Sequence, residues 1–319
     1  MINKNAGLTA EQLAVRRKNR AIRTAKKYGF LFCILILQLV AFAYFYVYVH
    51  INAFVMAFQW PKPDGTAVFS LRAFEMLFER LRDPTGEVAK AMRNTFIYFA
   101  FGFVMLPISF MTSYFMYKKI WGYRAFRILF FLPSVVSGVV WSSLYSRFIS
   151  PDGPIAPLFA KIFKLESVPF FLSSSRYALG AVLGYSFWLG IAGSFIIFQG
   201  TMTRIPDSVI EAGKLDGIAW YRELFQIILS LMWPTISTML IIRVSGIFTA
   251  SGSVLLLTNG EWGTTSISFL MFKQVYNNAD INSRNFNYAS AIGFFFSMLT
   301  IPLVLITRWL ANKIEDVEY

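Results

Sequence analysis

Long apolar runs constrain this chain more than any other feature of its sequence. Six runs are each near the roughly 20 residues that an α-helix needs to cross the ~30 Å apolar core of a bilayer. They lie at about residues 29–50, 94–117, 126–147, 177–199, 226–250 and 289–310. Hydrophobic residues make up 56% of the chain, more than an ordinary soluble domain contains. The runs predict an all-α, polytopic membrane protein with six transmembrane helices.

The net charge of +13 arises from basic residues that gather beside these runs. That placement is typical of the flanks of membrane helices, and it argues against a nucleic-acid partner. If the N-terminus lies inside, the inner segments hold 17 basic residues and the outer segments hold 12. Eight of the 17 precede the first run, where the bias counts most. We therefore expect both termini in the cytoplasm, and a first run that is kept as a membrane helix.

The inner segment 205–225 begins with polar and turn residues and does not resemble a simple loop. Ser208 and Glu211 have the spacing of a capping box, which starts a helix. Gly217 stands where a residue in the left-handed conformation would end that helix. These signals predict a short helix at the membrane surface.

The faces of this short helix differ. Val209, Ala212 and Leu215 recur at three-residue spacing and give a narrow apolar stripe, while Gly213 keeps one side thin. A second helical segment, residues 220–225, is expected to run into the next membrane helix. Such a helix can insert into a groove on a soluble partner and transmit a push to the membrane part.

The same segment resembles the "EAA loop" of binding-protein-dependent ABC importer permeases, whose pattern runs E-A-A, three residues, G, nine residues, I-x-L-P. The matching residues are Glu211, Ala212, Gly217, Ile227 and Leu229. Gly213 replaces the second Ala, and Ser230 replaces the Pro, with Pro234 four residues later. Similar sequences in such permeases match Asn94-Thr95, residues 127–133 and residues 286–293. The resemblance covers most of residues 90–315 and is strongest to the MalF-type carbohydrate permeases, in the branch for oligo- and polysaccharide uptake.

This resemblance implies a permease core of the type I importer (MetI-like) fold and a transport subunit instead of an enzyme. It implies a second homologous permease in a heterodimer, two cytoplasmic ABC ATPase subunits and an extracytoplasmic solute-binding protein. ATP and Mg would be bound by the ATPases, and no cofactor by this chain. The solute would be a carbohydrate, an oligosaccharide in particular, carried across a bacterial cell membrane. The residues assigned to ATPase coupling are Ser208, Glu211, Ala212, Gly213, Asp216 and Gly217.

The corresponding division of the chain has four parts. Residues 1–28 form a basic cytoplasmic segment, and residues 29–93 form the first membrane helix and an extracytoplasmic loop with an amphipathic helix at 71–80. Residues 94–312 form the permease core with the coupling loop 205–225, and residues 313–319 form a cytoplasmic tail.

The sequence lacks the motifs of several common binding and catalytic sites. There is no G-x-x-x-x-G-K-[ST] for a nucleotide, no H-E-x-x-H for zinc and no G-x-S-x-G for a serine nucleophile. His50 and Cys33 are the only residues of their types. The alternatives that stay open are a permease of the same ABC class for a non-sugar solute, a secondary transporter or channel, and a membrane-embedded enzyme.

Arg243 is the candidate for the solute path, because a charge within a membrane helix is costly and usually functional. Its guanidinium could bond sugar hydroxyls or pair with an acidic sugar. The alternative is an interior Arg that pairs with a backbone carbonyl or with a partner subunit. Further candidates are aromatic or polar, and for each of them helix packing is the alternative: Trp141, Tyr145, Tyr185, Trp188, Gln199, Ser245, Ser251 and Asn259. Glycines 180, 184, 190 and 193 are predicted to mark helix–helix contacts.

Overall fold

A computed structural model describes residues 10–62, 66–249, 252–276 and 285–314. The chain divides into two compact units, Met1–Met56 and Ala57–Tyr319. Residues 57–93, which the sequence division joined to the first membrane helix, therefore belong to the same unit as the core. Most of the predicted tail 313–319 lies outside the described residues.

The described residues of the first unit form one long helix, α1. It runs through Ala10–Phe42, a π-helical turn at Ala43–Tyr48, and Val49–Ala57. The predicted boundary at residue 28 falls inside this continuous helix. Its segment Ala21–Ala57 is long and apolar enough to cross a bilayer.

The second unit contains two short strands followed by helices. Its elements are β1 Gln59–Pro61, β2 Ala67–Phe69, α2 Arg72–Arg82, α3 Glu87–Tyr117, α4 Tyr123–Val135, α5 Gly138–Phe148, α6 Ile155–Ile162, α7 Ala178–Met202, α8 Asp207–Leu215, α9 Trp220–Leu231, α10 Trp233–Ser245, α11 Gly252–Leu257, α12 Ile267–Tyr276 and α13 Phe286–Ala311. The strands pair antiparallel with Trp60 opposite Val68. This small hairpin was not predicted, and it leaves the all-α class unchanged.

The membrane helices differ from the prediction in two places. Four are continuous, in α1, α3, α7 and α13, whereas α4 and α5 meet at a bend of 114° and α9 and α10 at a bend of 75°. The six-helix prediction holds if each bent pair counts as one span, but continuous helices at 126–147 and 226–250 were wrong.

The bends have local causes in the sequence. Pro133 removes one backbone donor near the end of α4, and the Ser137 side chain accepts a bond from the Val139 N–H that starts α5. In the second pair, Pro234 lies in the first turn of α10, where a proline is favoured at a new helix start.

The centre of the unit is the packing of α3 against α7. Ser109 Oγ donates to the Ile191 carbonyl at 3.3 Å, and Ser113 Oγ donates to the Phe195 carbonyl at 3.4 Å. A Cβ on Gly190 would lie 3.3 Å from Met105, and one on Gly184 would lie 3.0 Å from the Tyr145 hydroxyl. The predicted contact role is confirmed for these two glycines. It was wrong for Gly180 and Gly193, where a Cβ would meet no atom of the described residues within 4 Å.

Helix α2 confirms the predicted amphipathic helix of the loop before α3. It buries Ala73 and Leu77, and the Phe74 ring lies 6.1 Å from the Phe294 ring of α13. Its apolar face thus packs against the neighbouring membrane helix α13. In the turn that follows, hydrogen bonds from Thr85 hold the pKa of Asp83 below its ordinary value.

Candidate functional site

The start of α8 differs from the predicted capping box. The helix begins at Asp207, Pro206 occupies the N-cap position, and no side chain caps the helix. Ser208 therefore lies inside the first turn, where its hydroxyl cannot take the N-cap role. Asp207 places a carboxylate in the first turn, where the helix dipole favours a negative charge.

The end of α8 confirms the prediction for Gly217. This residue has φ +70°, and its N–H donates to the Lys214 carbonyl at 3.1 Å. The Ile218 N–H donates to the Gly213 carbonyl at 3.1 Å, which completes a Schellman motif. The short helix is thus closed by backbone bonds, and the chain turns sharply toward α9.

The two faces of α8 have opposite surroundings. On the inner face, Ile210 is buried and a Cβ on Gly213 would lie 3.2 Å from Ile227 Cδ1. On the outer face, Glu211 and Ala212 are exposed, and Leu215 is 89% exposed. Ser208, Asp216 and Gly217 are exposed as well. Two residues of the predicted apolar stripe, Ala212 and Leu215, therefore point away from the bundle, whereas Val209 is half-buried.

Beneath α8, a buried ion pair joins the end of α3 to α9. Lys118 Nζ donates to both carboxylate oxygens of Glu223 at 2.9 Å, and the Glu223 side chain is only 7% exposed. Glu223 opens a π-helical turn, Glu223–Ile228, and the Tyr114 hydroxyl donates to the Trp220 carbonyl at 3.2 Å. Sequence reasoning missed this pair. Glu223 could have been noticed as a lone carboxylate beside an apolar run.

Four of the predicted path residues meet between α5 and α7. The rings of Trp141 and Trp188 lie 4.6 Å apart, and those of Tyr145 and Tyr185 lie 5.3 Å apart. Tyr145 donates to the Ala181 carbonyl at 2.8 Å and Tyr185 to the Gly138 carbonyl at 3.1 Å. Both hydroxyls are therefore engaged within the bundle, which favours the packing alternative for the two tyrosines. The Trp141 Nε1 is buried and has no hydrogen-bond partner among the described residues.

Arg243 lies half-buried on α10 against α3. A Cβ on Gly102 would lie 3.4 Å from Arg243 Nη1, so the guanidinium uses the space that this glycine leaves. Among the described residues, no carboxylate forms an ion pair with it. The solute-path role of Arg243 stays a prediction.

Ser245, two residues after Arg243, lines a cavity of about 420 Å³ between α10, α12 and α13. Its hydroxyl-bearing lining also includes Thr249, Ser297 and Thr300. Ser251 lies outside the described residues, and none of the other predicted path residues is in this lining. Asn259 is exposed in the turn after α11, where its φ of 49° marks a left-handed position.

At the other end of the unit, three side chains of α3 hold the loop after α11. Asn94 Nδ2 donates to the carbonyls of Gly263 at 2.6 Å and Thr265 at 2.9 Å. Thr95 Oγ1 accepts from the Ile267 N–H at 3.0 Å. The Tyr98 hydroxyl donates to the Thr264 carbonyl at 2.9 Å. We call Asn94, Thr95 and Tyr98 with residues 263–267 the Asn94 clasp; it gives the Asn-Thr pair a structural role.

These features define a class: a polytopic helical membrane protein with a short, exposed surface helix between two membrane helices. Residues 105–316 match the family described as "Binding-protein-dependent transport system inner membrane component", and the chain belongs to that family. It is therefore a multi-pass membrane component of a transport system. Within the described residues, no group of His, Cys, Asp and Glu could hold a metal ion.

The chain is similar to the "Multiple sugar-binding transport system permease protein MsmF" of Streptococcus mutans, with 27% identity over 202 residues. That match covers 62% of this chain and 66% of MsmF, a little under two thirds of the relative. In fold it is similar to a crystal structure of a bacterial ABC transporter for import of the acidic polysaccharide alginate. The TM-score is 0.76 at 19% identity, and the match covers 92% of this chain and 99% of that one. A structure of the alginate transporter in complex with its alginate pentasaccharide-bound periplasmic protein matches with a TM-score of 0.74 at 19% identity, over 93% of this chain and 99% of that one.

Proposed function

We propose that this chain is the permease subunit of an ATP-driven ABC importer. Together with a second homologous permease, it forms the path for a carbohydrate that an external solute-binding protein delivers. The observation that carries the proposal is α8, a short helix that ends at the Gly217 turn, rests on the bundle through Ile210 and Gly213 and turns Glu211, Ala212 and Leu215 outward. The family membership supports the same reading.

The proposed partners follow from the chemistry of this chain. It lacks a nucleotide-binding motif, so ATP and Mg are assigned to two ATPase subunits, and α8 fits a groove on one of them. A helix that presents exposed apolar and acidic groups at helical spacing suits such a groove. The similar alginate transporter forms a complex with a periplasmic protein that carries its sugar, which supports an external solute-binding protein here.

The proposed solute is an oligosaccharide. MsmF is named for sugars and the similar structure for alginate, an acidic polysaccharide. Arg243 is half-buried and has no carboxylate partner among the described residues, so a carboxylated sugar would supply the missing charge. Ser245 and its neighbouring hydroxyls offer hydrogen bonds to hydroxyl groups of a solute.

Co-purification tests the class of protein. A tagged full-length chain, solubilised from its native membrane, should bring down a soluble ABC ATPase and a homologous permease. The chain with the substitution Glu211→Ala should bring down the same permease but support little solute-stimulated ATP hydrolysis, because Glu211 lies on the outward face of α8. Glu79→Ala, the same change at an exposed position on α2, is the matched control. Recovery of the chain without any ATPase would contradict the proposal.

Cysteine labelling tests the orientation that places α8 in the cytoplasm. Ser208→Cys and Asp83→Cys are exposed positions on α8 and in the α2–α3 turn. Each is placed in a Cys33→Ala background, because Cys33 is exposed. A membrane-impermeant maleimide should label Asp83→Cys from outside and Ser208→Cys only after the membrane is opened. The reverse pattern would invert the whole assignment.

Arg243 variants test the solute class. Alginate oligosaccharides and neutral maltodextrins serve as the two probes in reconstituted vesicles. We expect Arg243→Ala to abolish uptake of the acidic probe, and Arg243→Lys to restore it poorly, because an ammonium cannot reproduce the planar fork. If instead the Arg243→Ala complex falls apart in detergent, Arg243 is a structural residue, and wild-type uptake would remove it from the path.

A further inference from the structure

A second cavity lies at the α8 end of the bundle, distinct from the one lined by Ser245. It has a volume of about 380 Å³ and is formed where α3 and α7 end and where α4 and α8 begin. The two long helices that end here are membrane helices, so the cavity opens at the surface of the membrane. Its lining is strongly basic, with Lys118, Lys119, Arg127 and Lys214.

The charges of this cavity are not neutralised within the chain. Lys118 is paired with Glu223, but among the described residues no carboxylate forms an ion pair with Lys119, Arg127 or Lys214. Asp207 is the one acidic residue in the lining. Three unpaired cations facing one carboxylate make the cavity attractive to an anion.

Gln199 gives a second, independent indication of a ligand. Its side chain lines the same cavity, and both its amide nitrogen and its amide oxygen are buried without a hydrogen-bond partner. Buried polar groups are normally satisfied, and an unsatisfied amide is unfavourable. A ligand hydroxyl bonded to this amide would satisfy one of the two atoms.

The surroundings show what kind of anion fits. Trp121, in the turn between the ends of α3 and α4, is 95% exposed, as is typical of aromatic residues at the membrane–water interface. From Arg127 onward, α4 presents exposed apolar side chains, with Ile128 at 68% and Phe131 at 49% exposure. A basic cavity that adjoins an exposed apolar helix face matches a molecule with a phosphate at one end and hydrocarbon at the other.

We propose that this cavity binds the headgroup of an anionic phospholipid, with the phosphate near Lys119, Arg127 and Lys214 and the acyl chains along α4. Gln199 bonds the glycerol or headgroup hydroxyls. Basic pockets between membrane helices are a general solution for anionic headgroups. The proposal concerns a lipid site and does not depend on the solute. Asp207 and Lys214 of its lining lie on α8, the helix proposed to dock on the ATPase, so the site adjoins that docking surface.

The test uses the full-length chain, delipidated in a neutral detergent and titrated by native mass spectrometry. The probes are phosphatidylglycerol, phosphatidylcholine and inorganic phosphate. The wild type should bind phosphatidylglycerol and retain little phosphatidylcholine. The double variant Lys119→Gln/Arg127→Gln should bind phosphatidylglycerol about 20-fold more weakly, from the loss of two charges at the membrane surface.

Matched variants keep the result interpretable. Arg204→Gln/Arg222→Gln removes two exposed charges at the same end of the unit but outside the cavity, and it should bind like the wild type. Gln199→Ala leaves every charge in place and should still weaken binding, by about fivefold for one hydrogen bond. This variant decides the question if the double variant does not fold.

Three results would overturn the proposal. One is undiminished lipid binding by both the double variant and Gln199→Ala. Another is an equal loss of binding in the Arg204→Gln/Arg222→Gln control, which would show a general effect of surface charge. The last is binding of inorganic phosphate as tight as that of phosphatidylglycerol, which would assign the cavity to a free anion.

Discussion

The two ends of the second unit hold their surface segments in opposite ways. At one end, α8 rests on apolar contacts of Ile210 and Gly213, and among the described residues none of its side chains forms a hydrogen bond or an ion pair. At the other end, the loop after α11 is bonded to α3 by all three side chains of the Asn94 clasp. Apolar contacts tolerate small shifts, whereas short buried hydrogen bonds do not. The difference teaches that one segment is free to move with a partner and the other is fixed.

Beneath α8, however, the contact is polar, like those of the clasp. The Lys118–Glu223 pair ties α3 to the first turn of α9, directly after the segment that leaves α8. The helix α8 thus lies above a region that this ion pair fixes. A push on α8 would reach α3 and α9 through the ion pair, and the following predictions test the clasp, the ion pair and α8.

The largest effect is expected at the clasp end, for Gly260→Ala. Gly260 has φ +74°, and an added Cβ would overlap the ring of Phe269. Left-handed strain and overpacking together should lower the free energy of unfolding by about 4 kcal/mol. Gly263→Ala is the matched control, because its φ is +76° but the Cβ meets nothing within 4 Å; we expect a loss of about 1 kcal/mol there. Thermal unfolding in detergent measures both, and equal losses would show that the loop is not tightly packed.

Lys118→Met tests the Lys118–Glu223 ion pair beneath α8. It leaves the buried Glu223 carboxylate without its partner, so we expect a loss of about 3 kcal/mol, at the low end for buried pairs because Lys118 is 26% exposed. The double variant Lys118→Met/Glu223→Gln removes both charges and should recover most of that stability. The measurement is a double-mutant cycle of unfolding midpoints. Additive losses would mean that the two residues do not interact.

Asn94→Ala removes both bonds to the loop after α11. Two lost hydrogen bonds, with buried carbonyls left unsatisfied, should lower stability by about 2 kcal/mol. Asn94→Asp keeps the size but turns a donor into an acceptor that faces two carbonyls, so it should be at least as destabilising. Hydrogen exchange of the amides at residues 263–267 should accelerate in both variants. Unchanged exchange there would show that the clasp does not hold the loop.

The smallest effect is expected for Gly213→Ala on α8, the change that would restore the E-A-A pattern. The new methyl group would meet the flexible end of Ile227 at 3.2 Å and that of Ile218 at 3.8 Å. Because alanine also favours the helix, we expect a change within about 0.5 kcal/mol. Gly217→Ala on the same segment should lose about 1 kcal/mol through its left-handed φ. A loss at Gly213 larger than that at Gly217 would mean that α8 is held as rigidly as the clasp.

The features that were predicted correctly depend on residues that are close together in the sequence. The long apolar runs predict the membrane helices, and Gly217 predicts the end of α8, because each depends on neighbouring residues. The capping box failed since Pro206, just before Asp207, occupies the N-cap position.

Prolines alone do not predict the bends. Pro107 and Pro302 lie inside unbroken helices, whereas Pro133 and Pro234 lie beside breaks. The α4–α5 break differs from these unbroken helices in the cap at Ser137, which lies within an otherwise apolar run and was not predicted. Neighbouring helices can satisfy the freed backbone groups of a proline, so its effect depends on packing.

The site depends on pairs that are distant in sequence. Lys118 and Glu223 are 105 positions apart, and Asn94 and Gly263 are 169 apart. The sequence around each of these residues does not indicate which distant residue it contacts. Arg243 was recognisable as a charge within an apolar run, but its place beside Gly102 required the packing of α10 on α3.

The 114° bend between α4 and α5 has a consequence for the lifetime of the chain in a cell. Each arm is too short to cross a bilayer, and irregular backbone at membrane depth is stable only against protein or water. Val135, Val139 and Val140 beside the bend are all more than half exposed. A copy made in excess of its neighbours would keep this region uncovered and become a target for membrane proteases. We therefore expect its half-life, followed by pulse-chase labelling, to lengthen with the synthesis rate of its proposed partner subunits. A half-life that does not change with that rate would contradict this.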